Sequence, residues 1–181
     1  MSDPIDRLLG EHRSIMAGLE GMRRAMSDLD QHGEAALSGA RPALDAAGAL
    51  MERELIAHAR REDEALFPAV EAALGESAGP TAEMRAEHIE IHSQAEQFRR
   101  TLRELDEIEH PALKVAGARL RNLAASGAGA SELRDSGREV IRLLDAHFEK
   151  EEQILFPMAR GLLDRDALEA VGRRMQELDS R

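Results

Sequence analysis

The sequence predicts an all-α protein: an up-down-up-down four-helix bundle followed by a short extra C-terminal helix. Three observations carry this. Ala, Leu, Glu and Arg dominate the 181 residues, and β-branched residues are few, a composition that favours helix. Apolar residues recur at three- and four-residue steps along four long stretches, and nothing alternates at strand spacing. Gly- and Pro-containing breaks separate the stretches. Helices of about 30 residues are roughly 45 Å long. Joined by short turns, they pack as antiparallel neighbours. The division expected is a bundle over residues 1–162, with residues 163–181 forming a helix packed on it.

Helix one starts at Ser2-Asp3-Pro4, a capping side chain followed by Pro near the first helical position. Its stripe runs Ile5, Leu8, Leu9, His12, Ile15, Met16, Leu19, Met22, Met26, and it fades near Gly33. Gly33 to Pro42 reads as a loop, and helix two begins near Arg41-Pro42. Its stripe is Leu44, Ala47, Leu50, Met51, Leu55, His58, Glu62, Ala65, Leu66, Ala69. Pro68 is expected to kink this helix or loosen the turn before it. Gly75 and Gly79-Pro80 mark the next turn.

Helix three follows Pro80-Thr81, with Met84, His88, Ile91, His92, Ala95, Phe98, Leu102, Leu105 and Ile108 on one side. A break is expected at His110-Pro111, then more helix to Ala125 and a flexible link from Ser126. Helix four opens at Ser131-Glu132 and carries Leu133, Val140, Ile141, Leu144, His147, Glu151, Ile154, Leu155 and Met158 until Gly161. Asp164 caps the last helix. Its apolar side, Leu168, Val171, Met175 and Leu178, is expected to cover the bundle or to support a homodimer.

The totals exclude several function classes. A formal net charge of −11 repels phosphate backbones and anionic lipids, which argues against nucleic-acid and membrane partners. The absence of Cys removes disulfides, zinc fingers and thiol chemistry. The polar start does not resemble a signal peptide, and no apolar run approaches the ~20 residues that span a bilayer. The chain reads as soluble and cytoplasmic.

Polar residues intrude on every stripe. His58-x-x-x-Glu62 and His147-x-x-x-Glu151 repeat each other, both with a Leu-Phe-Pro tail, and His88-x-x-x-His92 adds a third pair. Residues i and i+4 lie on nearly the same helix face, so each pair can reach one buried point. His12 and His88 lie near the starts of helices one and three. His58 and His147 lie towards the ends of two and four. In an antiparallel bundle all of them fall within roughly two turns of one height.

A lone His on a stripe is ordinarily a core histidine bonded to backbone. Five of the chain's seven His at one depth, together with two buried Glu, are a different matter, because an ionised carboxylate in a core needs a partner or a metal. The set His12, His58, Glu62, His88, His92, His147 and Glu151 therefore reads as metal-ligating. His32 and His110 fall beside turns and read as surface residues. Glu64, Glu149 and Glu152 read as a solvated acidic face, while Phe67, Phe148 and Phe156 lie near the ligand positions as a dry wall. Seven ligands exceed the needs of one tetrahedral zinc. They suit two octahedral ions bridged by the carboxylates, with one position open. Imidazole with carboxylate favours non-haem iron.

These residues, in this order and with both Leu-Phe-Pro tails, resemble the hemerythrin family, specifically the bacterial proteins with a His-His-Glu cation-binding domain, over roughly residues 5 to 160. The resemblance implies a hemerythrin-like bundle holding two iron ions. His88, His92 and His147 would hold one, His12 and His58 the other, and Glu62 and Glu151 would bridge them. Oxygen-carrying hemerythrins place an Asp five residues after the last ligand His. Here the fourth position is Glu151 and the fifth Glu152, and the fourth matches the spacing of the first half.

The function implied is binding or sensing of dioxygen or a related small oxidant at the open iron position, with an unidentified protein partner if it signals. The rival readings are a peroxidase- or catalase-like oxidoreductase on the same irons, and iron handling in a stress response. Repair proteins of the superfamily carry a Cys-bearing N-terminal region, and ferritin-like centres need two Glu-x-x-His motifs. This sequence has no Cys and one such motif, Glu107 to His110, beside the expected turn.

Overall fold

Four helical rods, A to D in chain order, make the bundle. The structure is a computed structural model that describes residues 3–75, 79–115 and 128–180, with side chains described outside 104–130 and 132. Rod A is α1 (Pro4–Gly18) and α2 (Glu20–His32), meeting at Leu19. Rod B is α3 (Leu37–Leu50), α4 (Ile56–Arg61) and α5 (Phe67–Leu74), joined by π turns over Met51–Leu55 and Glu62–Leu66. Rod C is the single helix α6 (Pro80–Val115). Rod D is α7 (Ala128–Lys150), a π turn over Glu151–Leu155, and α8 (Phe156–Leu162). A last helix, α9 (Arg165–Asp179), follows. Rods A and C each pack against both B and D.

The ends follow local chemistry. The Ile5 N–H donates to Asp3 Oδ1 at 2.8 Å, and Ala167 N–H to Asp164 Oδ1 at 2.9 Å, so both expected caps form. Gly75, at φ 73°, closes α5 in the left-handed conformation that Gly adopts without strain.

The expected loosening before Pro68 takes a definite form, and Pro157 repeats it. Each proline lacks an N–H, and its ring crowds the carbonyl four residues back. The turn just before each Phe-Pro widens to π geometry, a form frequent at functional sites. The widened turn in rod D corrects one expectation: Ile154 is 57% exposed, and Leu155 takes the core place.

Two boundaries also differ. The stretch read as a loop from Gly33 to Pro42 is a 3₁₀ turn over Gly33–Ala36 followed directly by α3, with Pro42 inside it. The Ala- and Leu-rich composition outweighs one missing N–H. Likewise α6 runs through Pro111 without the expected break. The predicted helix beyond Val115 and residues 126–127 of the link lie outside the described residues, while 128–130, expected in the link, already belong to α7.

Two apolar clusters fill the bundle, one on each side of the polar layer. One contains Leu19, Met22, Leu44, Phe98 and Leu144. The other contains Ile5, Leu8, Leu66, Phe67, Leu155 and Phe156, and α9 adds Val171, Met175 and Leu178 to it. Each fully buried Leu or Phe contributes about 1.5–3 kcal/mol, which offsets the cost of burying a charged layer between the clusters. The Asp179 carboxylate ties α9 to rods A and B by accepting from Arg7 at 2.6 Å and Arg61 at 2.8 Å. No helix among the described residues is long and apolar enough to cross a membrane.

Candidate metal centre

Between the clusters, six of the seven expected residues converge: His12, His58, Glu62, His88, His147 and Glu151, each at most 4% exposed. Among the described residues they form two groups able to hold a cation. One is His12, His58, Glu62 and Glu151; the other is Glu62, His88, His147 and Glu151. Glu62 and Glu151 belong to both.

The separations suit shared ions. Two ligand atoms ~2.1 Å from one metal and at right angles lie roughly 3.0 Å apart. His12 Nε2 lies 3.0 Å from His58 Nε2. It lies 3.2 Å from Glu151 Oε2, while the other oxygen of that carboxylate, Oε1, is 3.2 Å from His147 Nε2. Glu62 Oε2 is 3.3 Å from both His58 Nε2 and His88 Nε2.

Every one of the four imidazoles turns Nε2 inward because Nδ1 is engaged outward. His58 Nδ1 meets Glu11 at 3.0 Å, His88 Nδ1 meets Asp63 at 3.1 Å, His147 Nδ1 meets Glu87 at 2.8 Å, and His12 Nδ1 meets Glu152 at 2.8 Å. An ionised carboxylate only accepts, so each Nδ1 is the N–H, and each Nε2 would present a lone pair to the centre once the ring is neutral. Rod A thus supports B, B supports C, C supports D, and D supports A. The expectation that Glu152 belongs to a solvated face is therefore corrected: it is 42% exposed, yet its carboxylate orients His12. Glu64 and Glu149 do stay on the surface.

The remaining valences at the centre test whether a cation belongs there. Both oxygens of Glu62 and Glu151 and Nε2 of His88 and His147 are buried with no hydrogen-bond partner. Two carboxylates without donors facing four lone pairs cannot be a satisfied core. Protons or cations placed between them satisfy both kinds of acceptor. In the metal-free protein protons do so. Burial pulls His58 down, but Glu62 and Glu11 outweigh it and push the group up to about 10. His88 rises against burial to about 9 through Asp63 and Glu62. Glu62, also against burial, is held well below the usual carboxylate range by His58 and His88. Metal cations satisfy the same atoms, and the donor set fits them.

The three phenylalanines lie against the histidines, as the sequence suggests. Phe148 stacks on His12 at 3.8 Å between centroids, Phe156 lies 5.4 Å from the same ring, and Phe67 stacks on His88 at 5.7 Å.

His92 stands apart. It lies one turn beyond His88, in neither cation group, half-buried, with its Nε2 buried and unpartnered. Burial and the neighbouring His88 hold its pKa below the usual value. The four outer carboxylates were not among the expected site residues. A signal for them exists: Glu11 and Glu87 each precede a His, and Asp63 and Glu152 each follow a bridging Glu.

A helical bundle with carboxylates shared between two histidine pairs defines a cation-binding protein. The hemerythrin HHE cation-binding domain matches residues 3–115 and 107–180, and the chain belongs to that family. No curated protein and no solved structure matches it.

Proposed function

We propose that the protein holds two iron ions and uses them to bind dioxygen or a related small oxidant. The observation that carries this reading is the pair of shared carboxylates: Glu62 and Glu151 belong to both cation groups, so the two ions would lie side by side and act together. His12 and His58 would hold one ion, and His88 and His147 the other. Two His nitrogens with carboxylate oxygens are a donor set suited to non-haem iron, and four such ligands leave positions open on an octahedral ion. When bound, adjacent ferrous ions supply two electrons to a small oxidant.

The residues supply the setting for that chemistry. The outer carboxylates keep the imidazole lone pairs inward, and Glu62 and Glu151 neutralise part of the cationic charge. Phe67, Phe148 and Phe156 exclude water beside the histidines. The test is metal analysis after anaerobic purification, with visible spectra of the iron-loaded protein before air, after air and under vacuum. Two irons per chain and a spectrum that reverses under vacuum are the expected result. Trace metal only would overturn the reading, and absorption that persists under vacuum would replace binding with one-way oxidation.

A further inference from the structure

The chain is built as two similar halves, and three of the places where they differ lie beside the metal layer. Rods A and C match with Glu11-His12 on Glu87-His88 and Ile15 on Ile91; rods B and D match with His58 on His147, Glu62 on Glu151 and Leu-Phe-Pro on Leu-Phe-Pro. The contacts match too. The His12 and His58 rings lie 4.7 Å apart at 68°, and the His88 and His147 rings 4.7 Å apart at 67°. Arg61 backs Glu11 as Lys150 backs Glu87.

Beside His12 stands Phe148, and one and two turns further along rod A come Met16 and Leu19. Phe148 lies flat on the His12 ring, and Leu19 is fully buried. The matching places beside His88 hold Ala59, His92 and Ala95. Large apolar side chains are thus replaced by two alanines and an imidazole. A cavity of about 210 Å³ opens between rods B and C, and of these three places His92 and Ala95 line it, together with Met51 and Leu55. At its mouth Arg99 pairs with Glu52 at 2.8 Å and Glu96 at 3.2 Å, and Arg103 also pairs with Glu96 at 2.8 Å, so two arginines balance two glutamates and leave little net charge to attract or repel a large ion.

We propose that this cavity is the access route for a hydrogen-bonding molecule of two or three heavy atoms, and that His92 meets it beside the ion held by His88 and His147. His92 is then a binding residue and not a metal ligand, and the ion held by His12 and His58 is sealed behind Phe148. The inference rests on the two-metal reading of the centre.

The test transplants residues from the closed half into the open one. Ala95→Leu fills the cavity with the residue found at Leu19, and His92→Met removes the imidazole in favour of the residue found at Met16. His92→Gln restores a hydrogen-bonding group, and Met16→Leu, on the closed side, is the control. Metal content by mass spectrometry, azide affinity of the ferric protein by absorbance, and stopped-flow oxidation of the ferrous protein by hydrogen peroxide are measured on each. Ala95→Leu is expected to keep both metals and to slow the peroxide reaction at least tenfold. His92→Met is expected to keep both metals and to weaken azide at least fivefold, with partial recovery in His92→Gln, while Met16→Leu matches wild type. Loss of a metal in His92→Met would make His92 a ligand and overturn the proposal. Wild-type rates and affinity in both Ala95→Leu and His92→Met would overturn it as well. A wild-type protein that holds fewer than two metals would instead sink the reading of the centre on which the proposal rests.

Discussion

Glu11 does not serve the histidine beside it in sequence. Its carboxylate reaches across to rod B and accepts from His58 Nδ1 at 3.0 Å, and it is itself held by Arg7 at 2.9 Å and Arg61 at 3.2 Å. His58 therefore presents Nε2 to the centre only while rods A and B stay in register. Removing such an outer partner costs about 10–100-fold in metal affinity. Glu11→Ala is expected to lie in that range by chelator competition. Glu11→Gln, which keeps an acceptor, should lose less. Glu152→Ala should also lose less, because Glu152 is 42% exposed and, among the described residues, its carboxylate makes the His12 contact without cationic backing. Equal losses in Glu11→Ala and Glu152→Ala would show that the arginine support has no role.

Metal uptake should be visible as acid. In the metal-free protein His58 titrates at about 10 and His88 at about 9, so both carry protons at neutral pH. A bound cation requires the neutral imidazole lone pair. Loading at pH 7.5 is expected to release at least two protons per chain, read by calorimetry in buffers of different ionisation enthalpy. Metal binding without proton release would mean that these imidazoles are not ligands.

Much of this was legible before the fold was known, for a physical reason. A His or Glu on an apolar stripe is an energetic anomaly, and periodicity alone exposes it, so His12, His58, Glu62, His88, His147 and Glu151 stand out from the sequence. His92 met the same criterion but lies outside both groups. A stripe reports the face of a helix and not the radial depth or height of each side chain on it. Glu11, Asp63, Glu87 and Glu152 escaped because they sit on the flank between stripe and solvent, where a carboxylate is ordinary. Only the pairing of rods reveals that each faces the imidazole of a neighbour. The Leu-Phe-Pro tails announced a disturbed turn, but not that widening would carry Ile154 out to solvent. Pro42 misled because it was read as the start of a helix and Pro111 because it was read as a break, where a long helix tolerates one lost bond.

The pH dependence of stability should differ in sign between the two forms of the protein. Raised histidine values stabilise the metal-free fold fully below the usual value of 6.5, and that contribution disappears as pH rises through about 9 to 10. The depressed Glu62 value stabilises it above the usual 4.5, and that contribution is lost as pH falls towards the lowered folded value. The metal-free melting temperature is therefore expected to be highest between about pH 4.5 and 6.5 and to fall towards pH 10. The metal-loaded protein should instead lose stability on mild acidification, as protons displace the ions. Parallel melting curves against pH for the two forms check this, and curves of the same slope from pH 5 to 9 would contradict it.

The shared carboxylates give the sharpest contrast with the outer ones. Glu62 lies within 3.3 Å of the imidazoles of both groups and has no hydrogen-bond donor of its own. Glu62→Gln keeps the shape but removes the charge that both ions would use, and it turns an amide NH₂ group towards lone pairs or cations. Both metals should be lost together, with stoichiometry falling from two towards zero, where loss of an outer carboxylate weakens binding and leaves stoichiometry at two when metal is saturating. The metal-free variant should also lose part of the alkaline destabilisation, because the Glu62 charge is the largest influence raising His58, while the share from His88, raised first by Asp63, remains. Metal content and the alkaline limb of the melting curve, measured on one preparation, check both outcomes. A variant that still bound one metal tightly would mean that the two groups act as separate sites that merely touch.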